Sequence, residues 1–263
     1  MISHKFEGLT NGETYYAKVF TANPNGRVNN REDVPAVSCV PSSFPGEPTE
    51  YVLIETYTAA TTFTAPEDGY FRIEAFGASG NGGTAAHGRS YDDSDGSYWH
   101  YGGTGGGGGG GGAAISEIMM NKGDTLVITI GAVGAITSVV INSSLETYNT
   151  LSVTSGTNGT NAGRSTSTEK GSAGKGGTGG VSSGGNQGNY TGGSGSDGKT
   201  FGTWSSNTSY SSGIGGTAGY TGGNVGGNGE GVRLINDTPN YTTRAFGKAG
   251  FVKIYRGNTN VVA

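Results

Sequence analysis

Gly171-Ser-Ala-Gly174-Lys-Gly-Gly177-Thr-Gly-Gly180 opens a stretch in which glycine returns at every third position. The register breaks and restarts at Gly192, Gly195 and Gly198, and again at Gly213, Gly216, Gly219 and Gly222. Through Gly223, Gly226 and Gly229 it continues at once, shifted by one residue. A flexible linker has no reason to keep a register. An extended helix with three residues per turn does, because every third residue then lies on one edge. If that edge has no Cβ atoms, neighbouring helices can approach as closely as chains do at the collagen axis. The spacing therefore predicts a packed bundle of polyglycine II helices between Gly171 and Gly231. The three main runs start at equal intervals, at 171, 192 and 213, but the side chains between them do not repeat.

Two other readings compete. Collagen needs uninterrupted Gly-X-Y and abundant proline. The prolines here are Pro24, Pro35, Pro41, Pro45, Pro48, Pro66 and Pro239, none of them in the glycine-rich stretch. Composition alone favours a disordered Gly/Ser/Thr/Asn tract. Against disorder stand the register, the strand-like flanks, and the aromatics Tyr190, Phe201, Trp204, Tyr210 and Tyr220 inside the stretch.

Glycine supplies 54 of 263 residues, only 32% are hydrophobic and 14% are charged, so a conventional core serves about half the chain. The remainder must be held by backbone hydrogen bonds, dense enough to offset the entropy that glycine loses on ordering. A net charge of −4 gives no electrostatic case for nucleic acid or for an anionic membrane. Cys39 is the single cysteine, which excludes a disulfide framework and a thiolate metal cluster. No apolar stretch is long enough to span a bilayer, and residues 1–7 lack the apolar core of a secretory signal. Sequons at Asn142, Asn158, Asn189 and Asn207 are expected by chance in an Asn- and Thr-rich chain.

Residues 1–41 read as a turn, an alternating strand around Tyr15 to Phe20, a second turn and a strand over 34–40. Residues 42–48 are a Pro-rich, stiff linker, and a β domain fills 49–263. Its strands are expected over Tyr51 to Tyr57, within Thr61 to Gly69 ahead of a turn, over Tyr70 to Phe76, Ala113 to Met120 and Leu126 to Ile130, within Thr137 to Val153, and in the closing Lys248 to Arg256. Phe71, Ile73 and Ala75 alternate with Arg72 and Glu74, the pattern of a half-buried strand. Residues 84–101 are a polar insertion, and no amphipathic helix is evident. The fold class read from these strands is all-β, a scaffold with polyglycine II helices inserted between its strands.

Phe63-Thr-Ala-Pro66-Glu-Asp-Gly-Tyr-Phe-Arg-Ile-Glu-Ala-Phe-Gly-Ala-Ser-Gly80 resembles the opening of a glycine-rich domain of phage tail proteins. It is also similar to the glycine-rich region of anaplastic lymphoma kinase-type receptors. Gly105 to Gly112, Lys122-Gly-Asp-Thr-Leu-Val-Ile-Thr-Ile-Gly131 and the closing Gly250-Phe-Val-Lys-Ile-Tyr carry the same resemblance, over roughly residues 60–256. Such a receptor should also bring several cysteines and a transmembrane segment, which this sequence lacks. Within 1–41, the Leu9-Thr-Asn-Gly12-Glu-Thr-Tyr15 segment resembles the end of a fibronectin type III domain whose earlier strands are missing. The resemblance implies a β-sandwich (jelly-roll-like) scaffold with an inserted bundle of polyglycine II helices, in a tail-fibre or tail-tip module of a virion, preceded by the rest of a larger tail protein N-terminal to Met1. A homo-oligomer, a trimer by analogy with fibres, also follows from the resemblance and is encoded by no residue pattern.

Catalytic, metal and cofactor chemistry finds little support. Asp92, Asp93, Asp95 and Gly96 look like the start of a calcium loop, but the position that should hold a bidentate Glu is Gly103. His4, His87 and His100 match no zinc spacing, and no strand–Gly-X-Ser-X-Gly–helix context supports a nucleophilic serine because no helix is evident. Gly102 to Gly112 lacks the Gly-Lys-Ser/Thr ending and the helix of a phosphate loop. The expectation is a non-enzyme with no metal and no cofactor. The suggestive set is aromatic: Tyr91, Tyr98, Trp99, His100 and Tyr101 in the insertion, and Tyr190, Phe201, Trp204 and Tyr210 around the second glycine run. Aromatic faces beside Asn, Ser and Asp suit stacking on sugars with hydrogen bonds to hydroxyls, and they also suit protein recognition. The bland alternative is that these rings cap the bundle and supply burial that glycine cannot. The function read here is an adhesin for receptor binding in host attachment, recognising a cell-surface glycan or protein through loops on a polyglycine II lattice. Its rivals are a structural tail-tip or fibre spacer without ligand, and a secreted bacterial glycine-rich protein. An ice-binding protein would need a flatter, more regular face.

Overall fold

The computed structural model describes residues 15–17, 37–39, 48–92, 94, 96–164, 171–204, 207–236 and 238–258. Among these, the fold is all-β, with several antiparallel sheets and no helix. In chain order the strands are β1 (Tyr15–Ala17), β2 (Val37–Cys39), β3 (Glu50–Tyr57), β4 (Thr61–Thr64), β5 (Gly69–Phe76) and β6 (Ala86–Asp92). Then come β7 (Ser97–Gly103), β8 (Ala113–Met120), β9 (Thr125–Thr129), β10 (Thr137–Asn142), β11 (Leu151–Val153) and β12 (Ser182–Ser183). The last are β13 (Gly188–Tyr190), β14 (Thr200–Thr203), β15 (Ser209–Tyr210), β16 (Val232–Ile235), β17 (Thr238–Tyr241) and β18 (Phe251–Asn258).

The chain divides into two compact units, Met1–Gly46 with Val261–Ala263, and Glu47–Asn260. In the first, β1 and β2 pair antiparallel with Tyr16 opposite Ser38. The rest of the fibronectin-like segment, and the linker up to residue 47, lie outside the described residues.

In the second unit, two five-stranded sheets share one core. Their strand orders are β12-β11-β10-β9-β4 and β13-β8-β5-β18-β3. The alternation legible in the sequence sets the faces: Phe71, Ile73 and Ala75 of β5 and Val252 and Ile254 of β18 point into the core with Ile118 and Met120 of β8. Leu126, Ile128, Val139, Ile141, Leu151 and Val153 come from the other sheet. Phe63 closes one edge, its ring 5.6 Å from that of Phe71 in an edge-on contact. Each of these large side chains contributes about 1.5–3 kcal/mol by leaving water.

From this scaffold the chain runs out and back as eight extended segments: 77–85, 104–112, 154–164, 171–181, 191–199, 211–219, 223–231 and 242–250. The segment 104–112 is the axis. Its amides donate in rotation to three neighbours: Gly105, Gly108 and Gly111 to the 223–231 segment, Gly106 and Gly109 to 154–164, and Thr104, Gly107 and Gly110 to 191–199. Its carbonyls accept in the same rotation from three others: from Gly77, Gly80 and Gly83, from Gly174, Gly177 and Gly180, and from Gly213, Gly216 and Gly219. These six segments also bond to one another around the ring, and 242–250 lies outside it against 77–85 and 223–231.

The glycine pattern follows from the number of covered edges. A Cβ on Gly105, Gly106 or Gly107 would meet the carbonyl oxygens of Gly83, Lys175 and Ile214 at 2.0 Å each, so no edge of the axial segment can carry a side chain. Hence glycine is unbroken from Gly105 to Gly112. In the surrounding segments one edge always faces the axis, and there glycine is obligatory: Gly174, Gly177 and Gly180 are buried while Ser172, Lys175 and Thr178 are open to solvent, and Gly176 and Gly179 lie against the 191–199 backbone. Gly222 stands outside the ladder. It sits in a turn with φ of 80°, and that turn, closed by the Gly223 amide on the Tyr220 carbonyl, shifts the register between 211–219 and 223–231.

The amides on the outer edges are satisfied by side chains. Thr154, Thr157 and Thr160 accept from the amides of Val181, Thr178 and Lys175 at 2.6–2.8 Å. Asn158 and Asn161 accept from Asn81 and Thr84, Asp197 from Gly176, Ser196 from Ile214, and Asn228 from Gly215. Short oxygen-bearing side chains at three-residue spacing do here what water does for a free extended chain. A Gly/Ser/Thr/Asn composition thus serves hydrogen-bond accounting.

Candidate functional site

At the end of the bundle away from the scaffold, the segments are joined by two small sheets, β14-β7-β6 and β15-β16-β17. The insertion expected between glycine runs is a β hairpin, with Tyr91 opposite Tyr98, Ser90 opposite Trp99 and Arg89 opposite His100. β14 adds to it with Thr203 beside His100 and Phe201 beside Gly102. Tyr91, Tyr98, Trp99, Tyr101, Phe201 and Tyr210 therefore stand on strands, held more firmly than loop residues would be, and Trp204 follows directly after β14. Gly102 and Gly103 belong to β7, so the axial segment begins at Thr104.

Phe201, Val232 and Leu234 are buried together, with Ala85 and Tyr210 packed against them. The Phe201 ring stacks on Tyr210 at 4.5 Å and lies 6.2 Å from His87. His87 Nε2 and His100 Nδ1 are 3.0 Å apart, and His100 is fully buried. Burial, with His100 and Arg89 nearby, pulls the His87 pKa down to about 4, so His87 is neutral at ordinary pH. Phe201, Tyr210 and His100 thus build the small core that fastens the two sheets together.

The other rings form the surface. Trp99 and Trp204 meet edge to face at 4.9 Å, Tyr91 and Tyr98 pack at 4.9 Å, and the Arg89 guanidinium lies 4.6 Å over the Tyr98 ring. Tyr91 and Trp204 remain 55% and 50% exposed, while Tyr98, Trp99 and Tyr101 are half-buried. A Cβ on Gly88 would run into the Tyr101 ring at 2.3 Å, so that ring lies flat over the glycine of the neighbouring strand. Arg89 and Arg164 line a shallow depression beside them with His87, Thr238 and Pro239. By strand alternation Tyr91, Tyr98 and Arg89 share one face of the hairpin, while Trp99 and Tyr101, with Trp204 against Trp99, share the other. Each face therefore offers rings for stacking, and the Arg89 guanidinium donors lie beside Tyr91 and Tyr98.

Tyr190 is not part of this set. It lies at the scaffold end, its ring 4.8 Å from Tyr220, because the whole 191–199 segment separates it from Phe201. No local pattern marks Arg89 and Arg164 in the sequence, and the seat of Arg89 over the Tyr98 ring shows only once the hairpin is formed. Asp93 and Asp95 of the calcium-like segment lie outside the described residues, and no cluster of three or more His, Cys, Asp or Glu able to hold a metal occurs among the described ones. Among the described residues no helix is long and apolar enough to cross a membrane. Comparison with protein-family models, with curated proteins and with solved structures yields no match.

Proposed function

We propose that this chain is a non-catalytic surface-recognition module of a phage tail, in which a bundle of polyglycine II helices holds an aromatic tip away from a jelly-roll-like β-sandwich. The three-residue rotation of hydrogen bonds around 104–112 supports the helix type. At 3.1 Å per residue a nine-residue segment spans about 28 Å, which sets the reach of the tip. The single observation that carries the functional reading is the tip itself: exposed Tyr91 and Trp204 with Arg89 over Tyr98, on two sheets fixed by their own small core. Rigid aromatic anchors lose little entropy on binding and tend to dominate recognition surfaces. The partner is a host cell-surface glycan or protein, the setting is the virion tail outside the cell, and several copies per particle would raise avidity.

Retention of the purified chain on a panel of bacterial cells tests this reading. The double variant Y91A/W204A should lose about tenfold or more in retention, the scale of a hot-spot aromatic pair. Its thermal unfolding should stay near that of the parent, since both side chains are half exposed. Retention unchanged in the double variant would assign the tip to a spacer or cap without a ligand.

A further inference from the structure

A second cleft lies on the scaffold, at the other end of the bundle from the aromatic tip. It has a volume of about 540 Å³ and is lined by Tyr51, Tyr70 and Tyr148, the carboxylates Glu117 and Glu146, and Asn186. A cavity of this size is in the range that takes one or two sugar units. A neighbouring depression shares Glu146, Tyr148 and Asn186 and adds Asn149 and Asn189. The walls are anchored. Asn186 is locked to the β8 backbone, accepting from the Glu117 amide at 2.9 Å and donating to the Glu117 carbonyl at 2.8 Å. The Tyr148 hydroxyl accepts from the Met119 amide at 3.2 Å and pairs with Glu146, and the Tyr51 hydroxyl pairs with Glu117.

The charge of the cleft is unbalanced. Arg72 serves both Glu74, at 3.0 Å, and Glu117, at 3.4 Å. Glu146 has no cationic partner among the described ion pairs, and no lysine or arginine lines the cleft. A carboxylate offers about four acceptor sites, so Glu117 and Glu146 keep lone pairs for a ligand after their tyrosine bonds are counted. Burial, followed by the Glu117 charge, raises the Tyr51 phenol well above its usual range, and burial raises that of Tyr148, so both remain neutral. The surface therefore offers acceptors, neutral hydroxyls and aromatic carbon, with net negative charge. That excludes ligands bearing carboxylate or phosphate and favours hydroxyl-rich ligands bearing an ammonium group.

We propose that this cleft binds an amino-sugar unit, with its ammonium group at Glu146 and Glu117 and its C–H face against the tyrosines. The proposal is independent of the tip: a Y91A/W204A chain retains it.

Titration of the full chain with glucosamine, glucose and glucuronic acid, in mild acid where the glucosamine amine is charged, tests the proposal. Backbone amide shifts of Glu117, Met119, Tyr148 and Asn186 report the site. Glucosamine should move these four together, glucose should do so more weakly, and glucuronic acid not at all. E146Q keeps the shape and should weaken glucosamine about tenfold or more, as expected for loss of a charged hydrogen bond, without altering glucose binding. Y148F, which keeps the ring and removes the hydroxyl bond to Glu146, should give a smaller loss. Absence of shifts at these amides, shifts confined to other parts of the chain, or glucosamine affinity unchanged in E146Q would each overturn the assignment.

Discussion

Replacing Gly108 with alanine is expected to cost at least about 4 kcal/mol, or to prevent the bundle from forming. The added Cβ would lie 2.2 Å from the Gly80 carbonyl oxygen and 2.4 Å from its carbon. No flexible side chain can give way there, because the obstacle is backbone. Nor can the neighbouring segment retreat. Gly80 is itself bonded to Gly109 and Gly227, and Gly108 to Gly227 and Gly216, all at 2.8–2.9 Å. Moving one segment outward by the required ångström breaks several of these bonds together, leaving buried amides unpaired at about 1–3 kcal/mol each. Gly69→Ala is the matched control. Its Cβ would meet only Arg256 Nε at 4.0 Å, and its effect should stay within about 1 kcal/mol. Urea unfolding of the two variants beside the parent separates a packed lattice from a loose glycine tract, in which both changes would be nearly silent.

Asn224→Asp should be the next most damaging change, about 3–5 kcal/mol near neutral pH. Asn224 is buried where three segments and the axis converge. Its Nδ2 donates to the Gly77 carbonyl at 3.0 Å and to the Ala249 carbonyl at 2.7 Å, and its own carbonyl accepts from the Gly111 amide. Aspartate has the same shape but no donors when ionised, so it would set a carboxylate against two carbonyl oxygens. Its pKa in the folded chain must rise above the unfolded value, since protonation restores one donor. The unfolded state therefore ionises first as pH rises, and the variant loses stability between those two pKa values. The deficit against the parent should be smaller in mild acid than at neutral pH. A deficit independent of pH would mean that the Asn224 amide does not hold these segments.

The parts of this architecture visible in the sequence were those where one edge of an extended segment is buried. Gly174, Gly177 and Gly180 show the register because Ser172, Lys175 and Thr178 face water, although Gly176 and Gly179 lie against the 191–199 segment. The axis from Gly105 to Gly112 shows no register at all, since every one of its edges is covered, and so it reads as plain low complexity. Gly77, Gly80 and Gly83, and Gly156 with Gly159, keep the same spacing over runs too short to stand out. The outermost 242–250 segment touches two neighbours and needs few glycines, which hides its membership. The threonines at 154, 157 and 160 carry as clear a period as the glycines, but a hydroxyl that caps a neighbouring amide looks the same in sequence as one in a disordered tract.

The strands of the scaffold were legible from alternation in Phe71, Ile73 and Ala75 or Leu126 and Ile128, because each strand buries one face. The tip was legible only as two aromatic clusters. That β14 would pair with β7, bringing Trp204 onto Trp99 across roughly a hundred residues, depends on where the 191–199 segment packs, and no local pattern records that. The cleft at Tyr51, Tyr148 and Glu146 was invisible for the same reason. Its walls come from β3, β5 and β8, the loop after β10 and the turn before β13.

Amide hydrogen exchange across 104–112 and 171–181 of the intact chain tests the central claim most directly. The lattice predicts slow exchange at every amide from Gly105 to Gly111. In 171–181 it predicts slow exchange at Gly174, Gly177 and Gly180, which bond to the axis, and at Lys175, Thr178 and Val181, which bond to threonine hydroxyls. Exchange at the random-coil rate across both stretches would contradict the lattice and the rigid display of the tip that rests on it.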